Sequence, residues 1–445
     1  MTSKAVELIN NFKFHGTDIQ RFDDGQIKKL QTELFKDQID YIAGNSPFYK
    51  EHFKRHGIDA SQIIKTDDLH LIPPTSKEDL IHYNRDFLAV ADEEVIDVCL
   101  TSATSGEKPA MLLQTHSDLI RLAYNEEIAF AMTGLMEKDT LLICAALDRA
   151  FMAGLAYFLG GSKLNIRLVR SGSGSAAQHW QMLKVTNATA IVGVPSLMRK
   201  IAEYGLECGE QPRATAVKKL IAIGEPTRDG DLKLLPLTKK LEEMWDAEIY
   251  STYASTELAT TYCECQERQG GHVRPELIIT EILDDNDNPL LPGEQGEVVV
   301  TPLGVTGMPL LRFKTGDISY IIDAPCACGR TTQRIAPVLG RKKQMLKFKG
   351  TTIFPNAILA ALEGAVFFDE GYVEVKRNPD GTDHVILHLC LKENAASKSQ
   401  IEDHLRARIR VVPEINIKPK EDILKIMYQP DKKRKRITFV DSRLK

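Results

Sequence analysis

Short apolar runs alternate with longer amphipathic stretches between roughly residues 80 and 260. The runs at residues 141–145, 190–194 and 220–224 are almost entirely apolar, as is typical of strands buried on both faces of a parallel sheet. Helical spacing of apolar residues follows the second run, at residues 196–203, where Ser196 stands in the position of an N-terminal cap. This alternation of strand and helix predicts an α/β domain.

Beyond this region the pattern changes. Apolar runs within residues 277–301, interrupted by an Asp/Asn/Pro turn, favour antiparallel strands. Two further runs, at residues 371–376 and 384–391, enclose the turn signal Asn-Pro-Asp-Gly and predict a hairpin. We therefore expect a large α/β domain over residues 1–340 and a small α+β domain over residues 341–445.

Composition limits the classes of function. The chain has 445 residues, of which 43% are hydrophobic, and 57 basic against 61 acidic residues give a net charge of −4. Such a balance creates no overall field that would favour nucleic acid. No apolar run approaches the roughly 18 residues of a membrane span, and the first residues lack a signal-peptide core, so we expect a cytoplasmic protein. Eight cysteines in so long a chain do not suggest a disulfide scaffold.

A hydroxyl-rich loop follows the strand-like run at residues 94–100. It reads Thr-Ser-Ala-Thr-Ser-Gly-Glu-Lys-Pro over residues 101–109 and offers hydroxyls, backbone N–H groups and one cation on a short turn. Such a turn can wrap a polyanion such as a nucleotide triphosphate. The loop does not fit the P-loop pattern, and an ordinary surface turn is the alternative. Its candidate phosphate contacts are Thr101, Ser102, Thr104, Ser105, Gly106 and Lys108.

Later segments add oxygen ligands and cations. Thr256 and Glu257 follow a strand-like run and can supply oxygen ligands to Mg²⁺ on a phosphate, although a helix capping turn explains them equally well. Asp317 follows what reads as a tight turn and suits the two hydroxyls of a ribose, with a plain hairpin turn as the alternative. The basic run Lys432–Arg436 near the end of the chain otherwise reads as a solvated charge run.

Together these segments resemble the adenylate-forming superfamily of acyl- and aryl-CoA synthetases, and within it the phenylacetate–CoA ligase branch. Further segments that carry the resemblance are Asn-Ser-Pro-Phe-Tyr at 45–49, Thr-Ser-Lys-Glu-Asp-Leu at 75–80, Gly-Val-Pro-Ser at 193–196, Ile-Gly-Glu-Pro at 223–226 and Ile-Phe-Pro at 353–355. The resemblance runs through nearly the whole chain. It implies ATP-dependent formation of an acyl-adenylate, followed by transfer of the acyl group to coenzyme A, with a small C-terminal domain that takes a different orientation for each half-reaction.

The resemblance also implies roles for individual residues. The loop residues named above would hold the ATP phosphates, Thr256 would contact the α-phosphate, and Glu257 would bind Mg²⁺. Asp317, assisted by Arg341, would bind the ribose hydroxyls. Lys433 aligns with the adenylation lysine, while Lys432 and Lys435 remain alternatives because the usual Gly-Lys context is absent. The adenine would be lined by Gly224, Glu225, Pro226, Tyr253, Ala254 and Ser255.

The acyl pocket of the family maps onto residues 147–155 and 194–196, with Phe151, Ala153, Gly154 and Pro195 as its candidate lining. Phe151 stands where an aromatic wall is expected. Asp148 and Arg149 depart from the family pattern, and we favour a surface ion pair over a clamp for a second carboxylate. Three further departures are Ala103 for a glycine, the extra residue Glu107, and Lys343 for the usual hinge aspartate.

A metal site is the last candidate. Cys326 and Cys328, with Cys265 and His272 from a separate loop, can complete a tetrahedral Cys₃His zinc shell. Cys263 is an alternative ligand, but the step from Cys265 to His272 agrees better with the related ligases. Free thiols are the alternative to a metal. With all four positions filled by protein, the zinc would be structural.

We thus expect an AMP-forming ligase that joins an aryl or arylacetic acid to coenzyme A. Two alternatives remain: an adenylating enzyme that loads the phosphopantetheine of a carrier protein, and a nucleotide- or zinc-binding homologue without catalysis. The expected partners are a small carboxylic acid, ATP, Mg²⁺ and coenzyme A, with no nucleic acid and no membrane. The resemblance also implies a homodimer.

Overall fold

The computed structural model describes residues 19–101, 109–348, 351–378, 383–392, 396–409, 411–428 and 436–443. These residues divide into two compact units. The larger unit extends to Lys233 and includes Lys240–Thr315 and Ser319–Pro337. The smaller unit contains Leu234–Lys239, Gly316–Ile318 and the described residues from Val338 onward.

The α-helices lie in both units and are named here in chain order. They are α1 (Asp24–Asn45), α2 (Pro47–His56), α3 (Lys77–Tyr83), α4 (His116–Met132), α5 (Met152–Lys163), α6 (Ala176–Thr186), α7 (Pro195–Glu207), α8 (Pro236–Trp245), α9 (Pro355–Leu362), α10 (Lys398–Ile409) and α11 (Lys420–Met427). Short 3₁₀ turns lie at Ile19–Arg21, Ala60–Gln62, Thr66–Leu71, Asn84–Phe87, Asp92–Glu94, Pro212–Ala214 and Lys342–Gln344.

The strands are named in the same way. They are β1 (Val95–Leu100), β2 (Met111–Thr115), β3 (Thr140–Ile143), β4 (Arg167–Arg170), β5 (Ala190–Gly193), β6 (Lys219–Ala222), β7 (Glu248–Ala254), β8 (Thr261–Glu264), β9 (Gly271–His272), β10 (Ile278–Leu283), β11 (Gly296–Pro302), β12 (Phe313–Ser319), β13 (Ile321–Ile322), β14 (Arg334–Ile335), β15 (Gly340–Arg341), β16 (Leu346–Phe348), β17 (Thr351–Ile353), β18 (Phe368–Arg377), β19 (Asp383–Leu391), β20 (Glu414–Ile417) and β21 (Phe439–Asp441).

The main sheet of the larger unit has the order β13-β14-β9-β8-β7-β6-β5-β3-β4. Strands β7, β6, β5, β3 and β4 are parallel to one another, whereas the pairs from β7–β8 to β13–β14 are antiparallel. Every residue of β3 and β5 is buried, which is the physical reason for their apolar sequences. The α/β class predicted from the sequence is confirmed.

Local signals explain several element boundaries. Helix α1 begins after Asp23, whose side chain accepts a hydrogen bond from the N–H of Gln26, while the Gln26 side chain accepts one from the N–H of Asp23. Its apolar face, including Phe35, Ile39 and Ile42, is buried in the core of the larger unit. Helix α2 ends at a glycine, Gly57, with a φ of 65°.

Antiparallel strands follow the parallel region, as expected. Strands β10, β11 and β12 lie side by side in that order, and β10 pairs antiparallel with β11. Strands β1 and β2 form a separate two-stranded antiparallel ribbon. No helix among the described residues is both long and apolar enough to cross a bilayer.

The smaller unit has its own core. Strands β18 and β19 pair antiparallel, β20 joins β19 and β21 joins β18 in parallel, giving the order β20-β19-β18-β21. Buried apolar residues of β18, β19, α9 and α10 pack together, among them Val373, Leu387, Leu362 and Leu405. The hairpin predicted from the sequence therefore forms the centre of this unit.

Helices α4 and α5 approach each other closely at Gly160. A Cβ atom at this position would lie 2.2 Å from the Cβ and 2.7 Å from the carbonyl carbon of Glu126. We expect Gly160→Ala to lower the free energy of unfolding by about 1–3 kcal/mol, because one backbone has to move away from the other. Chemical denaturation monitored by circular dichroism measures the change.

Gly44 supplies the matched control, because it also lies in a helix but a Cβ added there would meet no atom within 4 Å. Gly44→Ala should cause no loss and a gain of up to about 1 kcal/mol. A Gly160→Ala protein as stable as wild type would show that the two helices are not constrained at this contact.

Candidate active site and metal centre

Three of the predicted segments leave the parallel sheet at the same edge. Strands β5, β6 and β7 pair in register, with Gly193 beside Ala222 and Ala222 beside Ser251. Their carboxyl ends therefore point the same way. The loops after β5 and β6 begin side by side, whereas β7 continues to Ala254 before its loop begins. Ligands of parallel α/β sheets bind at this edge. The structure thus brings residues 193–196, 223–226 and 253–257 together.

A carboxylate joins two of these loops. Both oxygens of Glu225 accept hydrogen bonds from Ser196, one from its N–H at 2.8 Å and one from its Oγ at 2.6 Å. The expectation that Ser196 caps its helix is wrong, because α7 begins earlier, at Pro195, with Val194 in the cap position. A proline at the first helical position needs no hydrogen-bond acceptor, so the helix starts there. The side chain of Glu225 instead fixes the two loops to each other.

The third loop is tied to its neighbours at the end of β7. Thr252 donates from Oγ1 to the carbonyl of Ala222 at 2.8 Å, and the rings of Tyr253 and Tyr262 stack with centroids 5.7 Å apart. The chain then turns at residues 255–258 and continues into β8, with no helix between. The alternative interpretation of this segment as a helix capping turn is therefore wrong. Tyr253 and Ala254 belong to the strand itself, and Ser255 follows it.

Glu257 lies on this turn with little exposure to solvent. Its side chain is 10% exposed, and its Oε1 lies 3.8 Å from the Nζ of Lys77. Thr256 and Glu257 both line a narrow cavity, together with Gln114, Met152 and other residues of the larger unit. A carboxylate and a hydroxyl on one wall of such a cavity fit the oxygen ligands that Mg²⁺ prefers.

Arg121 of α4 holds the backbone next to Glu257. This guanidinium is almost completely buried and donates to the carbonyls of Leu303 at 2.7 Å and Leu277 at 2.6 Å, to Thr260 Oγ1 at 2.8 Å, and to the carbonyl of Ala259. Burial lowers the pKa of Arg121 to about 10, so it remains charged at neutral pH. Sequence reasoning did not find this residue, because an arginine on a helix normally faces solvent.

The hydroxyl-rich loop is described only at its base. Thr101 and Ala110 exchange two hydrogen bonds, from the Thr101 N–H to the Ala110 carbonyl at 2.9 Å and from the Ala110 N–H to Thr101 Oγ1 at 3.0 Å. The two ends of the loop are thereby fixed to one another. The other candidate phosphate contacts lie outside the described residues, namely Ser102, Thr104, Ser105, Gly106 and Lys108.

The candidate acyl pocket begins with two residues in left-handed backbone conformation, Arg149 at φ 60° and Ala150 at φ 53°. Asp148 and Arg149 are exposed and lie 3.4 Å apart, as a surface ion pair would.

Phe151 precedes α5, and a Cβ at Gly154 would lie 2.1 Å from the carbonyl oxygen of Ala146. Only glycine fits at position 154. Of the other two candidates, Ala153 is partly exposed and Pro195 is buried.

The remaining ATP-site candidates belong to the smaller unit. Asp317 and Arg341 face each other across the pairing of β12 with β15, with 3.4 Å between Asp317 Oδ1 and Arg341 Nε. Asp317 lies within β12 and does not follow a tight turn, although Gly316 before it has a φ of 75°. Lys432, Lys433 and Lys435 lie outside the described residues.

The four predicted zinc ligands meet in the larger unit. The sulfur atoms of Cys265, Cys326 and Cys328 and one ring nitrogen of His272 all lie within 4.8 Å of one another. The two sulfurs of Cys265 and Cys326 are 3.7 Å apart, and Cys328 Sγ is 3.6 Å from His272 Nε2. Tetrahedral zinc bonds would require about 3.8 Å between two sulfurs and about 3.6 Å between sulfur and nitrogen. The cluster therefore has the dimensions of a metal site.

Its surroundings support the same assignment. His272 Nδ1 lies 3.0 Å from Thr332 Oγ1, an outer contact that orients the ring and leaves Nε2 toward the sulfurs. Burial, with Arg330 and Arg274 nearby, lowers the pKa of His272 to about 3. The imidazole is thus neutral, as a metal ligand must be. The alternative ligand Cys263 is not in the cluster, and its sulfur contacts the carbonyl of Glu264.

Comparison with known proteins places this site in context. The model of a family described as AMP-binding enzyme matches residues 45–308. A phenylacetate-coenzyme A ligase of Thermus thermophilus is 29% identical over 343 residues, which are 76% of this chain and 75% of the relative. A phenylacetate-coenzyme A ligase of Escherichia coli is 24% identical over 415 residues, or 91% of this chain and 92% of the relative.

A solved structure shares the fold over nearly the whole chain. It is a 2-hydroxyisobutyryl-CoA ligase in the postadenylation state in complex with R3-HIB-AMP, with a TM-score of 0.85 and 21% sequence identity. The match covers 97% of this chain and 94% of that one. At this level of identity the likeness concerns the fold.

The contacts of Arg121 generate a prediction about the site. Arg121→Met removes the donors of several buried acceptors, and each acceptor left unpaired costs about 1–3 kcal/mol. We expect the free energy of unfolding to fall by about 3 kcal/mol or more, measured by chemical denaturation. Arg213→Ala is the control, because this exposed arginine donates a hydrogen bond to the carbonyl of Glu243 at 3.0 Å. Its effect should stay within about 0.5 kcal/mol, and an equally small effect of Arg121→Met would contradict the prediction.

Proposed function

We propose, since the chain belongs to the AMP-binding enzyme family, that it activates an aryl or arylacetic acid as the acyl-adenylate and transfers the acyl group to coenzyme A. It is an AMP-forming acid–CoA ligase of the phenylacetate–CoA ligase-like branch. The observation that carries the proposal is the position of Glu257. This carboxylate lies on the third of three loops at the carboxyl edge of the parallel sheet and lines a cavity beside Thr256.

The chemistry of adenylation explains why such a site needs cations. A carboxylate is a weak nucleophile, and its attack on the α-phosphate concentrates negative charge on phosphate oxygens. Mg²⁺, held by Glu257, would supply charge neutralisation there. Thr256 contacts the α-phosphate in our proposal, and Lys433 donates an ammonium group to the same oxygens. Loss of one such cation is expected to cost about 3 kcal/mol, or about a hundredfold in rate.

The nucleoside is assigned to residues of three separate segments. The loop at residues 224–226 and the end of β7 would line the adenine through their backbones, since the Glu225 carboxylate is already bonded to Ser196. Asp317 would accept hydrogen bonds from both ribose hydroxyls, with Arg341 as its partner. The hydroxyl-rich loop that starts at Thr101 would hold the phosphates.

The class of acid is supported by the relatives and by one side chain. Both phenylacetate-coenzyme A ligases cited above align with most of this chain. Phe151 precedes α5 and offers an aromatic wall, and Asp148 and Arg149 are exposed and paired with each other. We therefore propose an acid with a neutral aromatic body and a single carboxylate. Coenzyme A is the proposed acceptor. A cytoplasmic location stays a prediction of the sequence, and a homodimer stays a prediction of the resemblance.

A panel of carboxylic acids tests the proposal. Purified protein with Mg·ATP should release pyrophosphate only when an aryl or arylacetic acid is present, and should form free acyl-CoA when coenzyme A is added. Lys433→Ala should slow pyrophosphate release about a hundredfold and leave thiolysis of supplied acyl-adenylate nearly unchanged, because thiolysis needs no cation at the α-phosphate. Lys432→Ala and Lys435→Ala are the matched variants.

Each outcome separates two of the possibilities. Pyrophosphate release without acyl-CoA would favour a carrier protein as the acceptor. No release with any acid would favour a homologue that only binds nucleotide. Equal loss of both half-reactions in Lys433→Ala would contradict its role in adenylation.

We further propose that the Cys₃His cluster holds a structural zinc ion. It would join the β8–β9 segment to the loop at residues 326–329, which also contacts Arg21 near the start of the described chain through the Cys328 and Gly329 carbonyls. The cluster has four protein ligands, so no position is left for a substrate. Zinc would thus contribute to folding and not to the adenylation chemistry.

The purified protein should contain about one zinc per chain by elemental analysis. Cys326→Ser should lower both the zinc content and the melting temperature, because a hydroxyl binds zinc far more weakly than a thiolate. Cys208→Ser is the control, since Cys208 is a free, exposed cysteine outside the cluster. A protein that is fully folded without metal, and whose melting temperature does not change when a chelator is added, would contradict this assignment.

A further inference from the structure

Lys77 faces the carboxylate that the proposed function assigns to Mg²⁺. Its Nζ lies 3.8 Å from Glu257 Oε1, and the two side chains are only 23% and 10% exposed. Both residues belong to the larger unit. The ammonium group is therefore present at the site independently of the lysines near the end of the chain.

The backbone of Lys77 is firmly positioned. Lys77 is the first residue of α3, and the preceding Ser76 and Asp79 form a reciprocal cap, with the Asp79 carboxylate accepting from Ser76 N–H at 2.9 Å and Ser76 Oγ at 2.7 Å. Thr75 is fully buried, donates from Oγ1 to the Leu311 carbonyl at 2.8 Å, and receives a hydrogen bond from the Lys314 N–H at 2.8 Å. A residue so placed has less freedom to lose when it binds a ligand.

The charges around Glu257 indicate a role for Lys77 beyond its pairing with this carboxylate. As long as Glu257 carries no metal, the Lys77–Glu257 pair neutralises a carboxylate that has little access to water. When Mg²⁺ binds Glu257, an ammonium at the same carboxylate would lie beside a divalent cation and be repelled by it. The nearest new anion is then the triphosphate, whose β- and γ-phosphates carry most of its charge.

We propose that Lys77 is a phosphate-binding residue that contacts the β- and γ-phosphates of ATP and the pyrophosphate that leaves; this inference rests on the proposed function. In the adenylation step a carboxylate oxygen of the acid forms a bond to the α-phosphorus. The bond from that phosphorus to the α–β bridging oxygen breaks, and its electron pair leaves with pyrophosphate. Lys77 stabilises the charge that gathers on the leaving group.

Nucleotides of different length test the contact. Calorimetric titration of the full chain with ATP, pyrophosphate and AMP should show that Lys77→Met weakens ATP and pyrophosphate at least about tenfold and leaves AMP within twofold, because AMP lacks the β- and γ-phosphates. Lys77→Arg should restore most of the affinity. Thiolysis of supplied acyl-adenylate should not change in either variant, because no pyrophosphate takes part.

Lys163→Met is the matched control. Lys163 pairs with Glu127 at 3.2 Å, and this glutamate side chain is also 10% exposed. Removal of Lys163 thus unpairs a comparably shielded carboxylate on α4 that the proposed site does not use. It should leave the affinities for all three ligands unchanged, even if it lowers the melting temperature as much as Lys77→Met does.

The outcomes are distinguishable. If Lys77→Met weakens AMP as much as ATP, or changes neither, Lys77 serves only to neutralise Glu257 and the inference is overturned. If Lys77→Met does not fold, Lys77→Gln and Lys77→Arg provide the same comparison. If the wild-type protein binds neither ATP nor AMP, the proposed function itself fails, whatever the Lys77 variants do.

Discussion

The candidate site depends on the register of three parallel strands. Because β5, β6 and β7 are hydrogen-bonded in step, the loops after Gly193, Ala222 and Ala254 start at one edge and cannot slide past one another. Two side-chain contacts then fix the loops themselves: Glu225 with Ser196, and Thr252 with the Ala222 carbonyl. Any chemistry at Glu257 requires this edge to be rigid, since catalysis by positioned charge is lost when the charges move.

Buried charges around the site are satisfied in different ways. Arg121 donates mainly to backbone carbonyls and so acts as a structural support. Burial raises the pKa of Glu126 to about 7, and this carboxyl accepts hydrogen bonds from Asn125 and Thr261. Glu257 is instead paired only loosely, at 3.8 Å from Lys77. A loosely paired carboxylate can exchange its cation for a metal, whereas Arg121 and Glu126 are each held by several hydrogen bonds.

The sequence was sufficient for much of the fold and for the segments of the site, but not for their connections. Continuous apolar runs predicted β3 and β5, because a strand that is buried on both faces of a sheet has no exposed position that favours a polar residue. The sequence alone could not show that Ser196 bonds to Glu225 and does not cap α7, since this contact joins residues that follow two different strands of the sheet. Arg121 and Lys77 were missed for the same reason: each acts through a partner more than a hundred residues away. The choice of Cys265 over Cys263 came instead from its spacing to His272, and the spatial cluster contains Cys265 and not Cys263.

The close approach at Gly154 has a consequence for how this protein could acquire a different acid preference. The helix that borders the candidate pocket rests there directly on the main chain of Ala146, without a side chain between them. A wall made of backbone cannot be deepened or narrowed by replacing one amino acid. Evolution or laboratory redesign of this pocket would therefore have to work through the candidate lining positions that carry side chains, such as Phe151 and Ala153.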